Sequence, residues 1–300
     1  MSIVVVGSVA LDSVETPSGK VENALGGSAT YFSVSASFFT NDIGLVAVVG
    51  KDFPKENIDF LKSRGIDLEG LEIAEGKTFH WSGRYGMSLS GAETLSTKLN
   101  VFEKFSPKVP EKYKATKYLF LANINPELQM DVLKQIKNAK LVVCDTMNLW
   151  ISQRREQLLE TIKHVDILII NDEEARQLTG EKKVDMSARK ILDYGPKRVI
   201  IKKGEHGVMT LSDSTYFSAP AYPLKSVFDP TGAGDTFAGG FMGYLASTDE
   251  VSETNIRKAM IYGTVMASFN VEDFSLNRQR RLTKDEIESR FAEMRSITEF

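Results

Sequence analysis

The chain has 300 residues, 42% hydrophobic and 26% charged, enough apolar material for one large α/β domain or two small ones. A formal net charge of −3 and a pI near 5.8 leave no basic footprint, so neither nucleic acid nor an anionic membrane is expected as a partner. Cys144 is the single cysteine, which excludes an intrachain disulfide and a cysteine-built metal cluster, and His80, His164 and His206 lack metal-ligand spacing.

In chain order, "SIVVVGSV" (2–9) is a short apolar run with no basic region before it, too short for a membrane span. It reads as a buried strand of a cytoplasmic protein. Residues 10–25 and 70–105 are rich in Thr, Ser, Gly and aromatics and partly alternate. They read as antiparallel strands forming a small inserted β-lid. Between them lie a helix at Ser28–Phe39, the strand "IGLVAVV" (43–49) and a helix at Pro54–Arg64. Inside the second lid segment, "GLEIAEGKT" almost spells a P-loop. Its glycines are separated by five residues where four are needed, and a strand-like run follows in place of a helix, so no phosphate cradle forms.

Strands at 117–123, 140–146, 166–171 and 197–204 then alternate with helices at Pro126–Lys137, Ser152–His164, Asp172–Leu178 and Met186–Tyr194. The strands are continuously apolar and not alternating, which argues for a parallel sheet covered on both faces. Helices follow at 233–246, 254–270 and 283–294, and the basic cluster Arg278, Arg280 and Arg281 reads as a solvated loop. The pattern is a three-layer, doubly wound, mostly parallel α/β fold over one domain, 1–300, with the lid above the carboxyl ends of its strands.

The chemistry concentrates in "FDPTGAGDTFAGGF" (228–241). Its first half is turn-like and its second half winds into an apolar helix. Gly232, Ala233 and Gly234 then lie at the helix amino end, where N–H groups and the dipole favour an anion. Small residues let a phosphate approach the backbone. Asp235 in the first turn can receive a hydroxyl proton while the amides take up charge on a moving phosphoryl group. Gly239 and Gly240 read as packing glycines.

This segment resembles the C-terminal signature of the PfkB, or ribokinase-like, carbohydrate kinase family, D-T-x-G-A-G-D-x-F: Asp229, Thr231, Gly232, Ala233, Gly234, Asp235 and Phe237 match, with Pro230 in the second position. "VVVGSVALDSV" is similar to the family's first strand, ending in an aspartate that holds substrate hydroxyls, here Asp12. "LGGSATYFSVSASFF" resembles its Gly-Gly signature at Gly26 and Gly27, "IINDEEARQLTG" its N-x-x-E motif at Asn171 and Glu174, and "IIKKGEHGV" its nucleotide-side strand and turn at Lys202 and Gly204. The resemblance implies an ATP-dependent phosphotransferase with Asp235 as base, Glu174 holding Mg²⁺ through water, and Asn171, Lys202, Gly204 and Thr231 on the nucleotide. The carbonyls of Asp229 and Thr231 would face a monovalent cation such as K⁺, although "NVEDFSL" lacks the glycine expected there.

For the acceptor, the expectation is a small sugar. Ser28 and Tyr31 stand where ribokinase-type members carry lysine and asparagine, which argues against ribose. Tyr31, Phe79, Trp81, Tyr85 and Trp150 could stack on a base, making a nucleoside the alternative. Asn123 and Asn148 follow strand ends and are candidate substrate contacts, and Arg84 reads as a surface residue. A ligand sensor without turnover is the third reading, against which Asp235 and Glu174 argue. Relatives pair through lid strands, which makes a homodimer a further expectation.

Overall fold

Strands that are apolar on both faces need cover on both faces. The structure, a computed structural model, describes residues 1–89 and 91–299; Ser90, inside the expected lid segment, and Phe300 lie outside the described residues. The strands in chain order are β1 (Ile3–Val6), β2 (Ala10–Thr16), β3 (Gly19–Gly26), β4 (Ile43–Gly50), β5 (Ile66–Asp67), β6 (Leu71–Ala74), β7 (Phe79–Tyr85), β8 (Ala92–Lys98), β9 (Tyr118–Leu121), β10 (Leu141–Asp145), β11 (Ile167–Asn171), β12 (Arg198–Lys202), β13 (Val208–Ser212) and β14 (Tyr216–Ala219). The helices are α1 (Ser28–Ala36), α2 (Lys55–Ser63), α3 (Pro126–Gln135), α4 (Asn148–Gln153), α5 (Arg155–Ile162), α6 (Asp172–Thr179), α7 (Val184–Leu192), α8 (Ala233–Thr248), α9 (Glu253–Asn270), α10 (Asn277–Arg280) and α11 (Lys284–Thr298).

Among the described residues a ten-stranded sheet runs β14-β13-β12-β11-β10-β9-β1-β4-β5, with β6 also on β4. Its strands pair in parallel from β12 to β5, while β13 and β14 close one edge antiparallel. Side chains alternate across the pleat. Ile3 and Val5 enter one core with α1, α8 and α9, and Val4 and Val6 enter the other with α3, α5, α6 and α7. Continuous apolarity therefore meant what it was read to mean.

Three expectations change. The lid is a separate four-stranded sheet, β3-β2-β7-β8, but its central pair, β2 with β7, is parallel. Residues 71–74 are not in it: β6 lies along β4 of the main sheet. The helix expected at Ser152–His164 is two, broken at Arg154 (φ −136°, ψ 37°), with α4 beginning earlier at Asn148. The hairpin β13–β14 was overlooked, although "VMTLS" and "YFSA" flank the turn residues Asp213 and Ser214.

Helix α8 is buried along most of its length because glycines let neighbours touch its backbone. A Cβ on Gly239 would lie 2.3 Å from the Phe32 carbonyl oxygen of α1, and one on Gly243 would lie 3.0 Å from Ala36 Cα. On the opposite side Gly240 meets Gly263 of α9. These contacts seat the amino end of α8 against α1, whose own amino end lies beside β1. We expect Gly239→Ala to destabilise the fold by about 1–3 kcal/mol, as overpacking against rigid backbone does. Gly86→Ala, where an added Cβ meets nothing within 4 Å, should leave thermal unfolding unchanged.

Candidate active site

The chain leaves β1 toward β4 on one side, while β9, β10, β11 and β12 succeed one another on the other. Connections diverge between β1 and β9, and a crevice opens there at the strands' carboxyl ends. Gly7 is squeezed into this joint: a Cβ would lie 2.8 Å from both Ala122 Cβ and Ser28 Oγ. Ser28 N–H donates to Ser8 Oγ at 3.0 Å, tying α1 to the end of β1. Asn123, past β9, accepts the indole N–H of Trp150 on its Oδ1 at 2.9 Å, so the early start of α4 brings that aromatic to the crevice.

Asp12 does not end the first strand, as the sequence suggested. β1 stops at Val6, and Asp12 sits on lid strand β2. Its carboxylate fills the space a side chain on Gly26 would need, with Oδ2 at 1.9 Å from that Cβ position, and it accepts the N–H of Gly27. Gly27 itself has φ 96°, and a Cβ there would strike the Ser8 carbonyl oxygen at 2.5 Å. Both glycines are therefore required, the first by Asp12 and the second by its own backbone. Burial, with Asp229 and Asp235 nearby, pushes the Asp12 carboxyl up to about 7 against the pull of the Gly27 N–H.

The glycine turn before Asp235 has the expected local shape. Gly232 adopts φ 74°, and α8 starts at Ala233. The Ala233 N–H is engaged by the Pro230 carbonyl at 3.2 Å, so the anion-facing donors reduce to the amides of Gly232 and Gly234, which have no intramolecular acceptor among the described residues. Tyr31 is a correction. It is 2% exposed, and its ring lies flat beneath Gly232, with Cδ2 at 2.4 Å from the missing Cβ. It supports the turn and does not face the crevice. Phe79 likewise packs on Phe102, with centroids 5.5 Å apart.

Two lid aromatics remain at the crevice. Tyr85 places its hydroxyl 3.3 Å from Thr231 Oγ1, closing the lid onto the turn. Trp81 is in register with Asp12, so both stand on one face of the lid sheet. Its ring lies across Gly83, where a Cβ would meet Cη2 at 2.2 Å, and it stays partly exposed. Arg84 pairs with Glu15 on the exposed outer side.

At the other end of Asp235, Lys202 reaches over the amino end of α8, its Nζ 2.7 Å from the Cβ position of Gly234. Its Nζ lies 3.3 Å from Oδ2 of Asp145, which is 5% exposed. Burial opposes the charge on Lys202, but Asp145, Glu174 and Asp235 outweigh it and hold its pKa above the ordinary value. Asp235 is pushed up to about 7 by burial and by Asp145, with Lys202 pulling the other way. An ordinary carboxylate is a poor base; this one is shifted toward working pH. Asp145 was overlooked. Its signal was an acidic residue at the carboxyl end of a wholly apolar strand, in "KLVVCDT".

Asn171 and Glu174 form a capping box on α6: Asn171 Oδ1 accepts the Glu174 N–H at 2.8 Å, and Glu174 Oε2 accepts the Asn171 N–H at 2.9 Å. That fixes the Glu174 carboxyl toward Lys202. Burial raises it to about 7, Lys202 opposing and Asp145 assisting. The oxygen-only donors Asp145, Glu174 and Asp235 suit Mg²⁺. Among the described residues no three acidic, His or Cys groups converge closely enough to cage a metal, so water and phosphate oxygens would complete its shell. Gly204 opens a turn past β12, at φ 54°, with open space where a side chain would be.

Of the two carbonyls expected to face a monovalent cation, that of Thr231 is already engaged by a side-chain amide. The Asp229 carboxylate accepts the N–H of Thr231 at 2.9 Å and of Ser275 at 3.3 Å, and the Thr231 carbonyl accepts Nδ2 of Asn270 at 2.8 Å. Ser275 occupies a left-handed backbone position (φ 54°) in the stretch where a glycine was expected.

The profile of the pfkB family of carbohydrate kinases matches residues 1–280. A cytidine kinase from Thermococcus kodakarensis is 34% identical over 247 residues, 81% of this chain and 87% of the relative. Among solved structures, the nucleoside kinase of Methanocaldococcus jannaschii, a ribokinase-family member, superposes with a TM-score of 0.76 at 22% identity, covering 98% of this chain and 99% of that one. An Escherichia coli chain described as a ribokinase II, solved with ATP and Mg²⁺, gives 0.79 at 19% identity over 97% and 99%.

The electrostatics of the cluster are directly measurable. In an NMR titration the Asp235 carboxyl should ionise near 7. Asp145→Asn should move that midpoint down and Lys202→Met should move it up, because one removes a like charge and the other an opposite one.

Proposed function

The chain belongs to the pfkB family of carbohydrate kinases, and from that premise we propose that its acceptor is a nucleoside. It is an ATP-dependent phosphotransferase that acts on a hydroxyl group. One observation carries the mechanism: Asp235 stands between two groups of charges. It senses Asp12 on the lid side and Lys202 with Asp145 and Glu174 on the other. A base so placed can take the proton of an acceptor hydroxyl bound on the Asp12 side as that oxygen attacks a phosphoryl group held on the Lys202 side.

In this reading Asp12 holds sugar hydroxyls beside Gly26 and Gly27, with Asn123 and Trp150 closing the far wall. Asp235 takes the proton from the attacking hydroxyl as the new O–P bond forms and the bond from the γ-phosphorus to the β-phosphate oxygen breaks, ADP leaving with that electron pair. The amides of Gly232 and Gly234, with Lys202, receive charge on the moving phosphoryl group. Asn171, Gly204 and Thr231 border the nucleotide. Glu174 and Asp145 would hold Mg²⁺ through water, and the ion would supply charge neutralisation with the phosphates. No step draws on a monovalent cation.

Trp81 supports this choice of acceptor. A partly exposed indole lying flat over Gly83, on the same lid face as Asp12, is a platform for a base attached to the sugar that Asp12 grips. A bare sugar leaves that platform unused. The similarity to a cytidine kinase points the same way, toward a pyrimidine nucleoside. A cytoplasmic setting, where ATP is held, and pairing of two copies through the lid edge at β8, where Leu95 is 46% exposed, belong to the same reading.

An ATP-consumption assay over nucleosides, sugars and sugar phosphates tests it. Turnover on cytidine or a related nucleoside is expected, and turnover on a bare sugar alone would count against the acceptor. Asp235→Asn should lower kcat by about 10²–10⁴-fold, as loss of a general base does. Because the ionised form accepts the proton, kcat/KM should fall as pH drops through about 7. Trp81→Ala should raise KM for the nucleoside while kcat changes little.

A further inference from the structure

Beneath the catalytic turn lies a buried polar network that phosphoryl transfer does not itself require. Asn270, the last residue of α9, is 1% exposed, and Gln279 of α10 and Thr236 of α8 are both 0% exposed. Asn270 donates Nδ2–H to the Thr231 carbonyl at 2.8 Å, and its Oδ1 accepts from Gln279 Nε2 at 2.8 Å and from Thr236 Oγ1 at 3.1 Å. Gln279 Nε2 also donates to Thr236 Oγ1 at 3.2 Å, and the Thr236 carbonyl accepts Ser35 Oγ–H of α1 at 2.7 Å. Thr231 precedes the glycine turn and Thr236 follows the base. The network therefore grips both ends of the segment that holds Gly232, Gly234 and Asp235.

We propose that Asn270 is a positioning residue for this turn, its amide doing at the Thr231 carbonyl what a bound monovalent cation would otherwise do, so that turnover needs no K⁺. A cation site requires oxygen lone pairs converging on one point. Here the Thr231 carbonyl is taken by the amide of Asn270, and the Asp229 carboxylate beside it by the backbone N–H groups of Thr231 and Ser275. A cation brought to the same oxygens would meet the positive ends of three dipoles. Displacing them would open side chains that are almost wholly buried. Ser275 reinforces the arrangement. Its Oγ–H donates to the Leu25 carbonyl at 2.5 Å, which fixes its left-handed backbone and aims its N–H at the Asp229 carboxylate.

The inference rests on the kinase reading but is testable apart from it. Turnover of Mg²⁺-ATP and a nucleoside is measured as KCl replaces tetramethylammonium chloride at constant ionic strength, and thermal unfolding of the wild type is followed in the same two salts. Rate and unfolding midpoint should both be independent of K⁺. Asn270→Ala should lower kcat by about 10- to 100-fold with little change in KM, since a misplaced catalytic segment loses rate more than binding. Strong activation of the wild type by K⁺, a K⁺-specific rise in its unfolding midpoint, or full kcat in Asn270→Ala would each overturn the proposal. If Asn270→Ala does not fold, the two wild-type measurements decide. If no acceptor is phosphorylated, the kinase reading fails and the unfolding comparison still judges the cation.

Discussion

A lysine lodged among three carboxylates, at the positive tip of a helix, sets the electrostatics of the whole crevice. Left alone, Lys202 over the amino end of α8 would be repelled by the helix dipole and penalised by burial. Asp145, Glu174 and Asp235 reverse that balance, and the lysine stays charged where phosphate oxygens would arrive. The same balance acts back on the acids. Crowded by one another and by low-dielectric surroundings, Glu174 and Asp235 are both drawn toward neutral pH. Each member of the cluster is tuned by the others, so the site is a unit and not a set of separable residues.

Holding such a cluster together needs rigid supports, and these come from close backbone contact. Gly239, Gly240 and Gly243 let α8 sink between α1 and α9 until side chains meet main chain. Tyr31 then lies under Gly232 as a flat prop, and the Asn270–Gln279–Thr236 network pins the turn from below. Small residues thus serve two ends: in the proposed reaction some would admit a phosphate, while others bring the elements close enough to hold the turn in place.

The acceptor side is built differently. Asp12 and Trp81 belong to the lid, and they reach the crevice only because β2 and β7 run in parallel register across a sheet separate from the core. Tyr85 links that sheet to Thr231 of the catalytic turn. In the proposed reading, recognition of the acceptor and assembly of the phosphoryl site therefore share one contact, which suits an enzyme that must exclude water when both substrates are present.

The chain's own pattern was sufficient for the parallel centre of the main sheet, though not for its edge strands β5, β6, β13 and β14, because strands buried on two faces must be apolar without interruption, as in "IGLVAVV". It was also sufficient for the glycine–aspartate turn, because only a left-handed glycine and a first-turn acid make that local shape, and both constraints act within a few residues. Tertiary structure decided the rest. Asp145 looks like any acid after a strand until Lys202, 57 positions later, is brought to its side. Tyr31 looks like a stacking residue until α8 covers it, and Asn270 has no visible partner until the turn folds onto α9. Such roles depend on contacts between distant segments, and a linear pattern carries no record of which side chains folding will place within hydrogen-bonding reach.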